Sequence, residues 1–214
     1  MSDKSSPLLV EQMVQELAQS KKYRQLALCA DTLQDVVAQE ARTHTNKRAA
    51  LDAARKKLHN IVAPYLGDPD YTQAAQRLDL ASQTRDAEQI RQACAEIMQA
   101  HVSTRERLPI LDDLYPAIFA LTGIPHVILD LACGIHPLSL PWMGLPGEAQ
   151  YLAYDILSER VNFLNHFFTL QGFNSTAKMQ DILVNPPTET GDIALIFKEV
   201  HRFEQRQRGV TLRL

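Results

Sequence analysis

The 214-residue sequence predicts an α/β protein: an all-helical N-terminal subdomain followed by a doubly wound parallel sheet. Residues 8 to 101 carry apolar side chains at helical spacing, as in Leu9, Met13, Leu17 and in Leu51, Ala54, Leu58, Val62, with no convincing strand. From His126 onward, short strand-like runs alternate with helical patterns, as parallel strands joined by crossovers require. One of those runs, Val127-Ile-Leu-Asp-Leu-Ala-Cys-Gly134, ends in an acid and a small-residue turn.

In the first half, breaks fall at Ser20 to Tyr23, Ala30-Asp31, Thr43 to Asn46, Gly67 to Asp70 and Gln83 to Asp86. Ser103-Thr-Arg-Glu106 reads as a capping box opening a helix toward Leu121-Thr-Gly123. Strands are then expected at 126–131, 150–155, 174–179 and 192–198, with helices at Pro137 to Met143, at 158–171 and from about 199. The change of pattern near 102 to 105 divides a helical subdomain, 1–104, from a sheet domain, 105–214, holding four strands.

No apolar run reaches membrane length, and Met-Ser-Asp-Lys-Ser-Ser at the start lacks a signal peptide's apolar stretch, so a cytoplasmic protein is expected. Cys29, Cys94 and Cys133 have no metal-ligand spacing and read as free thiols; no metal is expected. The net charge of −3 is unevenly spread: residues 1–107 hold 15 Lys/Arg against 14 Asp/Glu, the remainder 7 against 11. Basic residues cluster at Lys21, Lys22, Arg24 and at Arg55, Lys56, Lys57, a pattern with two readings: a solvated helix face or a phosphate-binding patch.

The turn after Leu131 brings backbone N–H groups toward a ligand. Asp155 closes the next strand 21 positions after Gly134, where doubly wound folds hold a ribose hydroxyl pair. A single glycine in Ala132-Cys133-Gly134-Ile135-His136-Pro137 argues against a bound pyrophosphate. S-adenosylmethionine, with ribose and adenine but no phosphate, asks less of the turn. Asp130, Asp155 and Asp181 end successive strands on the edge where open parallel sheets bind ligands; the bland alternative is that they merely cap those strands.

Leu129-Asp-Leu-Ala-Cys-Gly-Ile-His-Pro-Leu-Ser-Leu140, His101-Val-Ser-Thr-Arg-Glu-Arg-Leu108, Ser20-Lys-Lys-Tyr-Arg24, Gln180-Asp181 and Gly191-Asp-Ile-Ala-Leu-Ile-Phe-Lys198 carry a family resemblance. On these segments the chain resembles the aminoglycoside-resistance 16S rRNA (guanine(1405)-N(7))-methyltransferases, from about Leu9 to Gly209. The resemblance implies a Rossmann-like, S-adenosylmethionine-dependent methyltransferase domain behind an RNA-binding helical subdomain, acting on 16S rRNA in the 30S subunit. It implies that Arg107 approaches the cofactor's methionine carboxylate and that Ala132 and Gly134 make backbone contacts. Asp155 would then hold the ribose, Gln180 and Asp181 would flank the adenine, and Lys21, Lys22, Arg24, Arg55, Lys56 and Lys57 would meet RNA.

Asp130 keeps two readings, reaching the cofactor's amino group or accepting from turn N–H groups. Trp142 and Met143 have the same choice between cofactor and core. Glu106 reads as a capping residue. His136 stands where the family usually has Asn, and Glu199-Val-His-Arg-Phe203 replaces its usual Leu-Leu-Pro-type continuation. No catalytic acid–base pair is assigned, because guanine N7 has a lone pair and no proton. Two further functions fit: methyl transfer to another substrate, and a non-catalytic rRNA-binding remnant.

The chain ends at Leu214 within an amphipathic pattern of Val200, Phe203, Val210 and Leu214, where the resembling enzymes continue with further strands. The expectation is a C-terminally incomplete, truncated form, poorly soluble or self-associating through an unpaired Ile193 to Phe197 edge, with little or no methyl transfer.

Overall fold

The computed structural model describes residues 7–63 and 67–212, the side chains of Lys22 and Gln25 excepted. It divides into two compact units: the chain up to Leu66 together with Ile156–Ser158, and Gly67–Asp155 with Glu159 onward.

The first unit is helical. Its helices are α1 (Pro7–Gln19), α2 (Lys21–Leu26), α3 (Ala30–Thr43) and α4 (Lys47–Val62). Asn46 starts α4 by accepting from the Ala49 N–H at 2.9 Å, satisfying one of the donors that a helix start leaves open. The periodic positions expected to be apolar do form the core: Met13, Leu17, Leu51, Ala54, Leu58 and Val62 are buried, along with Leu33, Val36 and Val37 of α3. Leu157 joins that core, and the segment around it is pinned by Cys29 N–H to Ile156 O at 2.8 Å.

The second unit begins with α5 (Tyr71–Thr84) and α6 (Ala87–Met98), capped by Asp70 and Asp86, whose carboxylates accept from Gln73 N and Glu88 N. Since α5 and α6 pack with this unit, the division falls at Leu66/Gly67 and not at the 104/105 expected from the change of pattern. The capping box at Ser103 also does not form. A short α7 (Val102–Arg105) starts at His101, Ser103 Oγ bonds His101 Nδ1, and Glu106 pairs with Lys198. Pro109 lies in a 3-10 turn, Leu108–Ile110, which separates α7 from α8 (Leu111–Thr122). Proline has no N–H to continue a helical ladder, so one long helix becomes two.

Strands β1 (Val127–Leu131), β2 (Gln150–Asp155), β3 (Thr176–Met179) and β4 (Ile193–Leu195) form a parallel sheet in the order β3-β2-β1-β4. The first crossover is a 3-10 helix, His136–Trp142, instead of an α-helix, with Pro137 and Pro141 in it. The second is α9 (Ser158–Gln171), and α10 (Val200–Arg206) follows β4. Side chains alternate across the sheet as strand geometry demands. Ile128, Tyr151 and Ala153 face α6, α8 and α9, while Leu131, Leu152 and Tyr154 pack with Ile182, Phe203 and Val210.

Of the terminal pattern, Phe203 and Val210 are buried but Val200 is exposed, and Leu214 lies outside the described residues. Asp192 fixes the start of β1 by accepting from both His126 N and Val127 N, bonds that hold its carboxyl below the usual range. Among the described residues no helix is long and apolar enough to cross a membrane.

Candidate functional site

In the order β3-β2-β1-β4 the chain reverses direction after β3, which makes the C-terminal ends of β1 and β4 a topological switch point. Three residues there sit at left-handed backbone angles: Ala132 (φ 56), Gly134 (φ 57) and Lys198 (φ 65). Such a conformation costs a residue with a Cβ about 1–2 kcal/mol. Ala132 and Lys198 therefore carry strain at the edge where open α/β sheets bind ligands, while the other two left-handed residues with a Cβ among those described, Ala27 and Arg85, close helices.

Asp155, at the end of β2, is 3% exposed. Its Oδ2 accepts from Gly134 N at 3.0 Å and from Arg160 Nη1 at 2.8 Å. The amide expected to face a ligand thus ties the turn to the ribose-type acid. Arg160 is fully buried, and it also donates to Tyr71 Oη at 3.1 Å and to Asp68 Oδ2 at 2.5 Å. Two buried polar atoms close this cluster, Asp68 Oδ1 and His101 Nε2, 3.9 Å apart and each without a hydrogen bond among the described residues. Burial, followed by the Arg160 charge, holds the His101 imidazole below its ordinary pKa. His101 Cε1 lies 4.0 Å from where a side chain on Gly134 would begin, so the turn and this cluster are neighbours.

Asp130, at the end of β1, is 1% exposed. The groups that satisfy it are side chains, not turn amides: Tyr151 Oη donates to Oδ2 at 2.7 Å, and His136 Nδ1 lies 2.8 Å from the same oxygen. Oδ1 has no protein partner among the described residues. Trp142 and Met143 take the core reading, with Met143 buried and Trp142 half-buried under the Arg91 guanidinium.

Arg107 follows α7 and is only 9% exposed, yet its guanidinium makes no hydrogen bond or ion pair among the described residues. It lies over the Phe197 ring, 4.5 Å from the centroid, just beyond β4. Burial depresses its pKa, partly offset by charge interactions with Tyr115, Asp130 and Tyr151. A buried cation without an anion is costly, so this position suits a ligand that brings one.

Past β3, Gln180 N donates to Asp155 O at 2.9 Å and its side chain to Asn185 O at 2.7 Å. Asp181 Oδ1 accepts from Leu183 N at 3.1 Å, and its Oδ2 pairs with Arg206 at 2.7 Å.

Sequence reasoning missed Arg160 and two of its partners, Asp68 and Tyr71. The available signal was an arginine on the apolar stripe of α9, four, seven and eight residues before Leu164, Phe167 and Phe168. Among the described residues, no group of three or more His, Cys, Asp or Glu side chains could hold a metal ion.

In the first unit Lys21, Arg24 and Lys56 are exposed and have no ion-pair partner among the described residues. Arg55 pairs with Asp52 at 2.9 Å and Glu16 at 3.3 Å; Lys57 bonds Gln39 at 2.6 Å and Glu40 at 3.2 Å. Tyr23 Oη donates to Arg55 O at 3.2 Å, bringing α2 beside α4 and so bringing the two basic clusters together. The Lys22 side chain lies outside the described residues.

Comparison with known proteins fits this geometry. A family model described as ribosomal RNA methyltransferase (FmrO) matches residues 19–214. A 16S rRNA (guanine(1405)-N(7))-methyltransferase of Micromonospora echinospora is 32% identical over 213 residues, 94% of this chain and 73% of the relative. The enzyme of that name from Serratia marcescens is 35% identical over 195 residues, 91% of this chain and 71% of the relative.

Among solved structures, the 16S rRNA methylase RmtB superposes with a TM-score of 0.78 at 31% identity, covering 96% of this chain and 78% of that one. The 16S rRNA methyltransferase RmtF, in complex with S-adenosyl-L-homocysteine, gives 0.73 at 26% identity, covering 98% of this chain and 75% of that one.

Proposed function

Because the chain belongs to the FmrO family of ribosomal RNA methyltransferases, we propose that it methylates N7 of guanine 1405 of 16S rRNA, in the 30S subunit, using S-adenosylmethionine. The observation that carries the reading is Arg107, a buried guanidinium at the switch point of the sheet with no ion pair among the described residues. A methionine carboxylate supplies that anion. The group fits the remaining residues too: a strained small-residue turn at Ala132 and Gly134, an acid at Asp155, and the polar pair Gln180 and Asp181 beyond β3.

When bound, S-adenosylmethionine supplies an electrophilic sulfonium methyl group. Arg107 takes its carboxylate, Asp130 Oδ1 accepts from its amino group, Asp155 holds the ribose hydroxyls, and Gln180 and Asp181 flank the adenine. Guanine N7 presents a lone pair and no proton, so no residue has to act as a base. The protein's contribution is alignment of the two reactants and exclusion of water. The target base is extruded from its helix to enter the site.

Lys21, Lys22, Arg24 and Lys56 contact RNA phosphates, with Arg55 and Lys57 joining if they exchange their acidic partners for RNA. N7 methylation places a positive charge on the guanine, which repels cationic aminoglycosides and gives resistance.

Methyl transfer from labelled cofactor to purified 30S particles, with free 16S rRNA as control, tests the reading. Borohydride and aniline cleavage, which marks N7-methylguanine, should map the label to position 1405 in 30S particles. Label at another position, or none despite S-adenosylhomocysteine binding, overturns it.

A further inference from the structure

We propose that His136 is a positioning residue for Arg107: held rigidly by its own hydrogen bonds, it sets the Phe197 ring on which the Arg107 guanidinium rests. The inference builds on the assignment of Arg107 to the cofactor's carboxylate.

His136 is 1% exposed and is gripped at both ring nitrogens. Nδ1 donates to Asp130 Oδ2 at 2.8 Å, and Nε2 lies 2.6 Å from Tyr115 Oη. Each of these partners is itself held. Tyr151 Oη donates to the same Asp130 oxygen at 2.7 Å; Ser139 Oγ lies 2.5 Å from Tyr115 Oη and donates to the His136 carbonyl at 2.7 Å. A buried network with this many bonds per ring leaves the imidazole one orientation.

Phe197 needs such a support. The β1–β4 ladder ends at Leu195, Phe197 lies two residues beyond it, and Lys198 then turns the chain into the left-handed region. No ladder bond orients the ring. The His136 imidazole does, at 4.6 Å between centroids and 58° between planes. The same Phe197 ring carries the Arg107 guanidinium 4.5 Å from its centroid, and Arg107 has no hydrogen bond or ion pair to hold it otherwise among the described residues.

His136 acts on Arg107 in a second way. Its Nδ1–H occupies the Asp130 oxygen whose charge would otherwise draw the guanidinium away from the cofactor's carboxylate.

Calorimetric binding of two ligands separates this role from a merely structural one. S-adenosylhomocysteine has the methionine carboxylate; 5′-methylthioadenosine has the same nucleoside without it. His136→Asn keeps a donor for Asp130 but removes the ring from Phe197. It should weaken S-adenosylhomocysteine binding by about fivefold to thirtyfold, the worth of a desolvated cation–π contact, and change methylthioadenosine binding by less than about twofold.

Tyr115→Phe, which frees Nε2, should move affinity the same way by less, and stands in if His136→Asn does not fold. Added to Arg107→Ala, His136→Asn should cost nothing more, since two residues acting through one contact are not additive. Equal losses for both ligands, an unchanged S-adenosylhomocysteine affinity in the folded variants, or full additivity with Arg107→Ala overturns the proposal. If Arg107→Ala itself leaves S-adenosylhomocysteine binding unchanged, it is the assignment of Arg107 that falls, and the proposal with it.

Discussion

Gly134 N donates to Asp155 Oδ2 at 3.0 Å, which joins the turn after β1 to the acid that closes β2. The same carboxylate oxygen receives the fully buried Arg160, so the residue proposed to hold the ribose also anchors a buried ion pair.

Asp155→Asn keeps an acceptor for Gly134 but loses the charge-assisted bond to a ribose hydroxyl. Its affinity for S-adenosylhomocysteine should fall by about 1–3 kcal/mol while the protein remains folded. Calorimetry with circular dichroism checks this; an unaltered affinity removes Asp155 from the cofactor site.

Arg160→Ala should be the more damaging change to the fold. It leaves two carboxylates, the buried Asp155 and the partly buried Asp68, without their shared cation, and breaking such a network costs about 3–5 kcal/mol. Urea denaturation measures the loss. A cost below that of an ordinary surface substitution would mean the cluster contributes nothing to stability.

Gly191→Ala should also destabilise. A Cβ there would lie 2.8 Å from Leu129 Cγ and 3.2 Å from Val127 O, so β1 and the entry to β4 must separate. Overpacking of this kind costs about 1–3 kcal/mol. The urea midpoint should fall in proportion, and no shift would mean that Leu129 repacks freely.

Glu199 gives stability a pH dependence. Burial raises its pKa to about 7, the Arg202 charge opposes that, Asp155 adds to it, and Arg160 opposes it. The folded state therefore holds the Glu199 proton more tightly than the unfolded chain. Its contribution is fully present below the ordinary carboxylate pKa and is lost as pH rises through 7. Glu199→Gln should flatten this decline and stabilise the protein above neutral pH by an amount on the order of 2–3 kcal/mol. Denaturant titrations at several pH values test it; an unchanged slope in the variant rejects the titration of Glu199 as its source.

Neutralising Lys21, Arg24 and Lys56 together should weaken binding to 30S particles and reduce the salt slope by about 2–3 units, one for each phosphate that no longer meets a cation. Neutralising Arg55 and Lys57 should have a smaller effect, because each already pairs with an acid. Filter binding across a salt series distinguishes the two sets. Equal slopes in the triple variant and the parent would place the RNA elsewhere.

Local regularities were legible from the sequence alone. Helical spacing in α1 and α4, the β-branched run of β1, the apolar run of β2 and the place of Asp155 at the end of that strand depend on neighbours close along the chain, and all stand in the structure. Periodicity marks which face of an element turns inward whatever it meets there. The family segments were readable for a similar reason, being contiguous stretches such as Leu129 to Leu140.

What the tertiary structure decided are relations between distant residues. Asp68 meets Arg160 across 92 positions, Lys198 takes Glu106 away from its expected capping role, and the helical pairing of α5 with α6 belongs to the second unit. Asp130 likewise finds Tyr151 and His136 instead of turn amides. Charge and hydrogen-bond partners are chosen by whichever groups burial brings within about 3 Å, and a one-dimensional pattern does not contain that distance. Arg107 shows the division clearly: a helix-end arginine in the sequence becomes, once folded, a buried cation without an ion pair among the described residues.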